Sequence, residues 1–192
     1  NTCADFHRKA AEYALQKYDV RAVVLAARWS VYTQPRRFVF ASHANVWSRN
    51  PFGKDDRAIA SAQQEIQALI QFWRQRHVPT VFVTDFPTNG LNISNLASRA
   101  ENFGVSLDTD YFGLDAADYE QWTAPVDAVL QELSGDSGVG VVDSFIAVCG
   151  EVERCNLNPD GEPLLGDDNH ASTLGAQQLA QEIGRVIDTL TH

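Results

Sequence analysis

Val20-Arg21-Ala22-Val23-Val24-Leu25-Ala26-Ala27 is the stretch from which the fold class is read. After one early charge it is apolar throughout and begins with β-branched residues, the pattern of a short strand covered on both faces. Upstream, Ala4 to Tyr18 places Phe6, Ala10, Tyr13 and Ala14 on one face of a helix. Downstream, Arg57 to His77 carries Ile59, Ala62, Ile66, Leu69, Ile70 and Trp73 as the apolar stripe of a long helix. Pro79 to Thr84 reads as a second strand, and Ala117 to Leu133 as a helix interrupted or started afresh at Pro125. Val139 to Val142 reads as a third strand, and Thr173 to Leu190 as a closing helix with Ser172 as its N-cap. Strands that alternate with long helices predict one α/β domain over residues 1–192. It is a three-layer sandwich with a mainly parallel sheet between helices.

Catalytic groups in such sheets gather beyond the carboxyl ends of the strands. Three long segments leave those ends and are read as loops: 28–56, 85–116 and 143–172. Composition narrows the chemistry. Hydrophobic residues make up 44% and charged residues 21%, as in ordinary globular domains. The longest uninterrupted apolar run, Ala22 to Ala27, is far shorter than the roughly 20 residues of a membrane span. A formal charge of −10, from 25 acidic and 15 basic residues, argues against a nucleic-acid surface, which needs a basic face. Cys149 and Cys155 flank Gly150 closely enough to clip a loop as a disulfide, whereas Cys3 has no evident mate. The three cysteines lack the spacing and neighbouring histidines of a zinc site, so neither a metal nor a cofactor is expected.

The third loop carries the strongest chemical signal, Gly166-Asp167-Asp168-Asn169-His170, just ahead of the last helix. An acid three residues before a histidine can bring its carboxylate to the imidazole Nδ1–H. That contact fixes the tautomer while the other ring nitrogen takes a proton from a nucleophile. The same pattern also serves as an acidic, dipole-matched helix start.

The run Cys149-x5-Cys155, followed by Gly161-Glu162-Pro163-Leu164-Leu165-Gly166-Asp167-Asp168-Asn169-His170-Ala171-Ser172-Thr173-Leu174-Gly175-Ala176, resembles a known family. It is similar to the end of the SGNH domains fused to membrane acyltransferases that O-acetylate bacterial surface polysaccharides. Val23-Val24-Leu25-Ala26-Ala27-Arg28-Trp29 resembles a second segment of that family, and Thr84-Asp85-Phe86-Pro87 a third, more loosely. The resemblance implies that Asp167 orients His170 and that His170 is the general base. Arg28 and Trp29 stand where general SGNH hydrolases place an asparagine that donates to the oxyanion. For Trp29 the alternative is a packing aromatic, and for Arg28 a loop-bracing salt bridge.

The family's nucleophile is the serine of a Gly-Asp-Ser that follows the first strand. By the resemblance it is expected upstream of Asn1, within a strand-helix-strand of roughly 30 residues or more. That segment is also expected to supply a cysteine for Cys3, and the lack of any methionine fits a processed or partial chain. The implied partners are an acyl donor, a carbohydrate acceptor and an N-terminal membrane acyltransferase domain. The implied location is the periplasmic or extracellular face of the bacterial inner membrane. Two alternatives share the fold: a carbohydrate esterase that deacetylates, and a carbohydrate-binding module without turnover.

Other residues carry weaker expectations. Gly135-Asp136-Ser137-Gly138 repeats the nucleophile motif, but between a helix and a strand, where its composition reads as a turn. His77 fits a helix C-terminus, His7 a helix surface and His43 a solvated loop. Asp85, at a strand end, is a candidate to face the site, with cap or turn duty after Thr84 as the first expectation, and Asn89-Gly90 reads as a turn. Tyr32, Trp47 and Phe52 are candidate sugar-facing aromatics without a spacing argument.

Overall fold

A computed structural model describes residues 3–30, 56–105 and 109–192. The residues of 31–55, with His43, Tyr32, Trp47 and Phe52, lie outside the described residues. The side chains of Cys3 and His7, both in the first helix, do too.

The first helix, α1 (Cys3–Lys17), leads into β1 (Val23–Ala26). Then come α2 (Asp56–Arg74), β2 (Thr80–Val83), α3 (Ile93–Phe103), β3 (Gly113–Asp115) and α4 (Ala116–Ser134). The chain closes with β4 (Val139–Val142), α5 (Ser144–Cys149), β5 (Arg154–Asn156) and α6 (Thr173–Thr191). The sheet has the order β1-β2-β4, all parallel, with Val23 opposite Thr80 and Thr80 opposite Val139. It is the α/β sandwich that the alternation predicts.

Burial explains the layers. β2 is covered on both faces, and Val81 and Phe82 have no exposed surface. On one side Val81, Val83 and Val142 meet Leu179, Ile183 and Val186 of α6. On the other, Phe82 and Val139 meet Ile66 and Ile70 of α2 and Val126, Val129 and Leu130 of α4. Each such side chain contributes about 1.5–3 kcal/mol when fully buried. β1 pairs only with β2 among the described strands and leaves Val24 partly exposed.

Several elements differ from expectation. α4 runs straight through Pro125, because Val126, Val129 and Leu130 beyond it are all packed against the sheet. That burial outweighs the loss of one helical hydrogen bond. The long helix before β2 ends at Arg74, and His77 takes a left-handed conformation (φ 57°) before Pro79. The segment 85–116, read as a loop, contains α3 and β3. Asn92 caps α3 by accepting from the Asn95 N–H, and Gly104 closes it at φ 62°. The segment 143–172 likewise contains α5 and β5. β3 and β5 pair antiparallel, with Leu114 opposite Cys155, over a core of Ile93, Phe112, Phe145, Leu157, Leu164 and Leu165. Cys149 and Cys155 are disulfide-bonded, so the expected clip closes the turn between α5 and β5.

Candidate active site

The turn that bears His170 is anchored before it is shaped. Leu164 and Leu165 are fully buried in the β3–β5 core, and Leu165 bridges to Ala171. The Ser172 N–H donates to the Leu164 carbonyl, and the Ser172 hydroxyl accepts from Gly175 N–H at 3.2 Å to start α6. Only Gly fits at position 175: a Cβ there would stand 2.5 Å from the Leu164 carbonyl oxygen and 2.8 Å from the Phe86 ring.

Within that frame the turn closes on itself. Asp167 Oδ1 accepts the backbone N–H groups of Asn169 (2.8 Å) and His170 (2.7 Å), and Gly166 N–H donates to the His170 carbonyl. Asp167 Oδ2 lies 2.7 Å from His170 Nδ1. These N–H donors, and after them the imidazole, pull the Asp167 carboxyl down to about 2. It is therefore ionised at any neutral or mildly acidic pH, which favours the tautomer with Nδ1–H towards Asp167 and leaves Nε2 as the basic nitrogen. Across the site, the Thr88 hydroxyl donates to the Asp168 carbonyl at 2.5 Å and ties the turn to the segment leaving β2.

His170 and Asn169 border a cleft of about 370 Å³ at the carboxyl ends of β1 and β2. Arg28, Asp85, Thr88 and, from α4, Asp118 and Trp122 also line it. Arg28 thus stands on the same cleft as His170. Trp29 does not act as a free donor. Its indole N–H donates to the Val83 carbonyl at 2.7 Å, its backbone N–H to Asp85, and its ring packs near Phe82. Both of these N–H groups are thus engaged inside the protein.

Ser137 and His77 are not brought to this cleft. Both lie at the opposite end of the sheet, on a smaller hollow with Arg74, Thr80 and Leu190. There Arg74 pairs with Asp136 at 2.9 Å, and Gly138 turns the chain into β4 at φ 82°. Asn89 and Gly90 form the expected turn: the Asn89 carboxamide oxygen accepts from Leu91 N–H, and its amide donates to the Tyr111 carbonyl. Among the described residues no group of three histidine, cysteine or acidic side chains could hold a metal ion.

The site residue that sequence reading undervalued is Asp85. Expected as a cap or turn residue, it is 3% exposed, and its carboxylate reaches across the sheet to the turn after β1. Trp29 N–H donates to Oδ1 at 2.6 Å, and Ser30 N–H to Oδ2 at 3.2 Å. The Ser30 hydroxyl donates to Oδ2 as well. Burial pushes the Asp85 carboxyl up, against the opposing pull of these donors. Its partners lie 56 and 55 residues away, so no local motif marks the contact.

A family model described as "SGNH domain (fused to AT3 domains)" matches residues 1–185. No curated protein matches the chain. Among solved structures, the chain is similar to the lipopolysaccharide acetyltransferase periplasmic domain of Salmonella ser. Paratyphi A, at 17% identity and a TM-score of 0.47. The likeness covers 73% of this chain and 53% of that one, so the chain spans about half the length of that structure. With the family model spanning residues 1–185, the chain belongs to the family of SGNH domains found fused to AT3 domains.

Proposed function

We propose that this domain carries out serine-dependent transfer of an acyl group, acetyl in the first instance, to hydroxyls of a bacterial cell-surface polysaccharide. The observation that carries the reading is the Asp167–His170 pair, joined at 2.7 Å and set on a cleft at the carboxyl ends of the strands. Membership of a family fused to AT3 domains supports a membrane acyltransferase domain as its partner in the same polypeptide. It also supports action on the outer side of the bacterial inner membrane.

In this reading the nucleophile is the serine of a Gly-Asp-Ser motif upstream of Asn1. His170 Nε2 takes the serine proton as the oxygen attacks the acyl carbonyl, and Asp167 stabilises the imidazolium that forms. The proton then passes to the leaving group, and an acyl-enzyme remains. A sugar hydroxyl next gives its proton to His170 and attacks the ester carbonyl, and the serine oxygen leaves and takes that proton back from His170. Water in its place would make the same site an esterase.

Hydrolysis of p-nitrophenyl acetate by the full-length protein tests the shared chemistry. His170→Ala is expected to lower kcat by about 10³-fold or more, since it removes the base from a triad. Equal turnover by wild type and His170→Ala would remove His170 from the mechanism and end the reading.

A further inference from the structure

We propose that Asp85 is a positioning residue for this site, fixing the turn Arg28–Ser30 so that Arg28 is the polar group that turn presents to the cleft. The inference rests on the acyl-transfer reading and deepens it.

Consider first what β1 leaves behind. Beyond Ala26 the ladder with β2 ends, and the N–H groups of Trp29 and Ser30, three and four residues on, need other acceptors. Asp85 supplies them: it binds the N–H groups of Trp29 and Ser30 and the hydroxyl of Ser30, which is itself wholly buried. Those two N–H groups are therefore spent inside the protein and cannot serve an oxyanion. The indole N–H of Trp29 is spent on Val83. Of the three residues in the turn, Arg28 is the one that lines the cleft with His170.

Asp85 is itself gripped from behind. Its own carbonyl accepts from Tyr119 Oη–H at 2.6 Å and from the Ser144 hydroxyl. Both hydroxyls lie within hydrogen-bond distance of Thr84, and Ser144 N–H donates to the Thr84 hydroxyl at 2.9 Å. Main chain and side chain are thus held from three other segments at once: the end of β1, α4 and the start of α5. A buried carboxylate is costly unless donors compensate it, and an apolar residue would serve packing alone at less cost. What the charge adds is a defined orientation of the β1 turn at the mouth of the cleft, and displacement of a reacting geometry by about 1 Å can cost about 10²-fold in rate.

The test is a variant cycle on the full-length protein, read as p-nitrophenyl acetate hydrolysis with kcat and KM separated. Asp85→Asn keeps the shape and removes the charge, and is expected to lower kcat about 10-fold with KM within about 2-fold. Ser30→Ala is expected to lower kcat about 3-fold through the same contact. Because Asp85 acts through Arg28, the Arg28→Ala/Asp85→Asn double variant should lose no more than Arg28→Ala alone. Losses that add would mean that Asp85 acts on turnover by a route other than Arg28. Additive losses, or wild-type kcat in Asp85→Asn, would overturn the inference. Should Asp85→Asn fail to fold, the Ser30→Ala/Arg28→Ala cycle decides by the same criterion. His170→Ala is measured in parallel: wild-type turnover there overturns the acyl-transfer reading together with this inference. Wild-type kcat in Asp85→Asn beside an inactive His170→Ala overturns the inference alone.

Discussion

Asp167, paired with the cleft residue His170, and Asp85, which lines the same cleft, are held by opposite means. Asp167 sits in a partly exposed turn and finds its partners within three residues, the N–H groups of Asn169 and His170 and the His170 ring. Asp85 is buried and finds its partners 55 and 56 residues away. Local donors pull the first carboxyl down to about 2, whereas burial pushes the second up. The exposed acid is thus charged without cost and suited to steadying an imidazolium. The buried acid spends its acceptors on structure and suits holding a turn.

The largest effect that separates the two is on turnover. Asp167→Asn retains an oxygen for the backbone N–H groups but presents an amide to Nδ1 and favours the wrong tautomer. It is expected to lower kcat for p-nitrophenyl acetate by about 10²-fold or more while the thermal midpoint stays near wild type. That exceeds the loss expected for Asp85→Asn, and a smaller loss in Asp167→Asn would reverse the ranking. Since Asp167 stays ionised down to about 2, its protonation should not set the acid limit of activity in the mildly acidic range. A loss of activity between pH 5 and 6 that disappears in Asp167→Asn would contradict this.

A second experiment asks how far the local turn depends on its seat. Gly175→Ala drives a Cβ against the Leu164 carbonyl and the Phe86 ring, so α6 must shift from the segment that leaves β2. A loss of about 1–3 kcal/mol in denaturant unfolding is expected, with a fall in turnover as the Asp167–His170 turn follows the helix. Unchanged stability would mean that the seat yields without cost.

The smallest effect comes from a third acid, Asp127 on α4, which has neither the exposure of Asp167 nor the donors of Asp85. Its Oδ1 is buried without a hydrogen-bond partner among the described residues. Burial, reinforced by Asp143, Asp85 and Glu120, pushes its carboxyl up to about 6 from an ordinary value of 3.8. The native state then holds the proton more tightly than the unfolded chain, so stability declines as pH rises from about 4 through about 6. Discounted for partial solvent access, Asp127→Asn should gain about 1 kcal/mol at pH 8 and nothing below pH 4. Melting curves at the two pH values check the sign, and equal gains at both would show that the charge is not the cause.

How much of this was legible in the chain follows from range. The Asp-x-x-His turn could be read because all its partners lie within one turn. The strands are legible as apolar runs: β2, Thr80–Val83, is buried on both faces, and β1, Val23–Ala26, reads the same way although Val24 and Ala26 are exposed. α3 and β3 escape the sequence reading because both elements are short within a long segment. Their signals, Asn92 as N-cap and Gly104 as left-handed C-cap, lie at the ends of an 11-residue helix within a segment that otherwise reads as loop. Pro125 misled for the converse reason: local propensity favours a break, and the packed residues beyond it override that preference.

The amino-acid sequence by itself determined the alternation of strands and helices, the parallel sheet, the Cys149–Cys155 clip and the Asp167–His170 pair. Each depends on periodicity or on partners a few residues apart. Only the tertiary structure decided that both Trp29 N–H groups are engaged inside the protein, that Ser137 and His77 lie at the far end of the sheet, and that Asp85 binds the turn behind Arg28. Those facts depend on which strand ends the fold brings side by side. Parallel strands joined by long crossovers bring together residues that no local pattern in the chain connects.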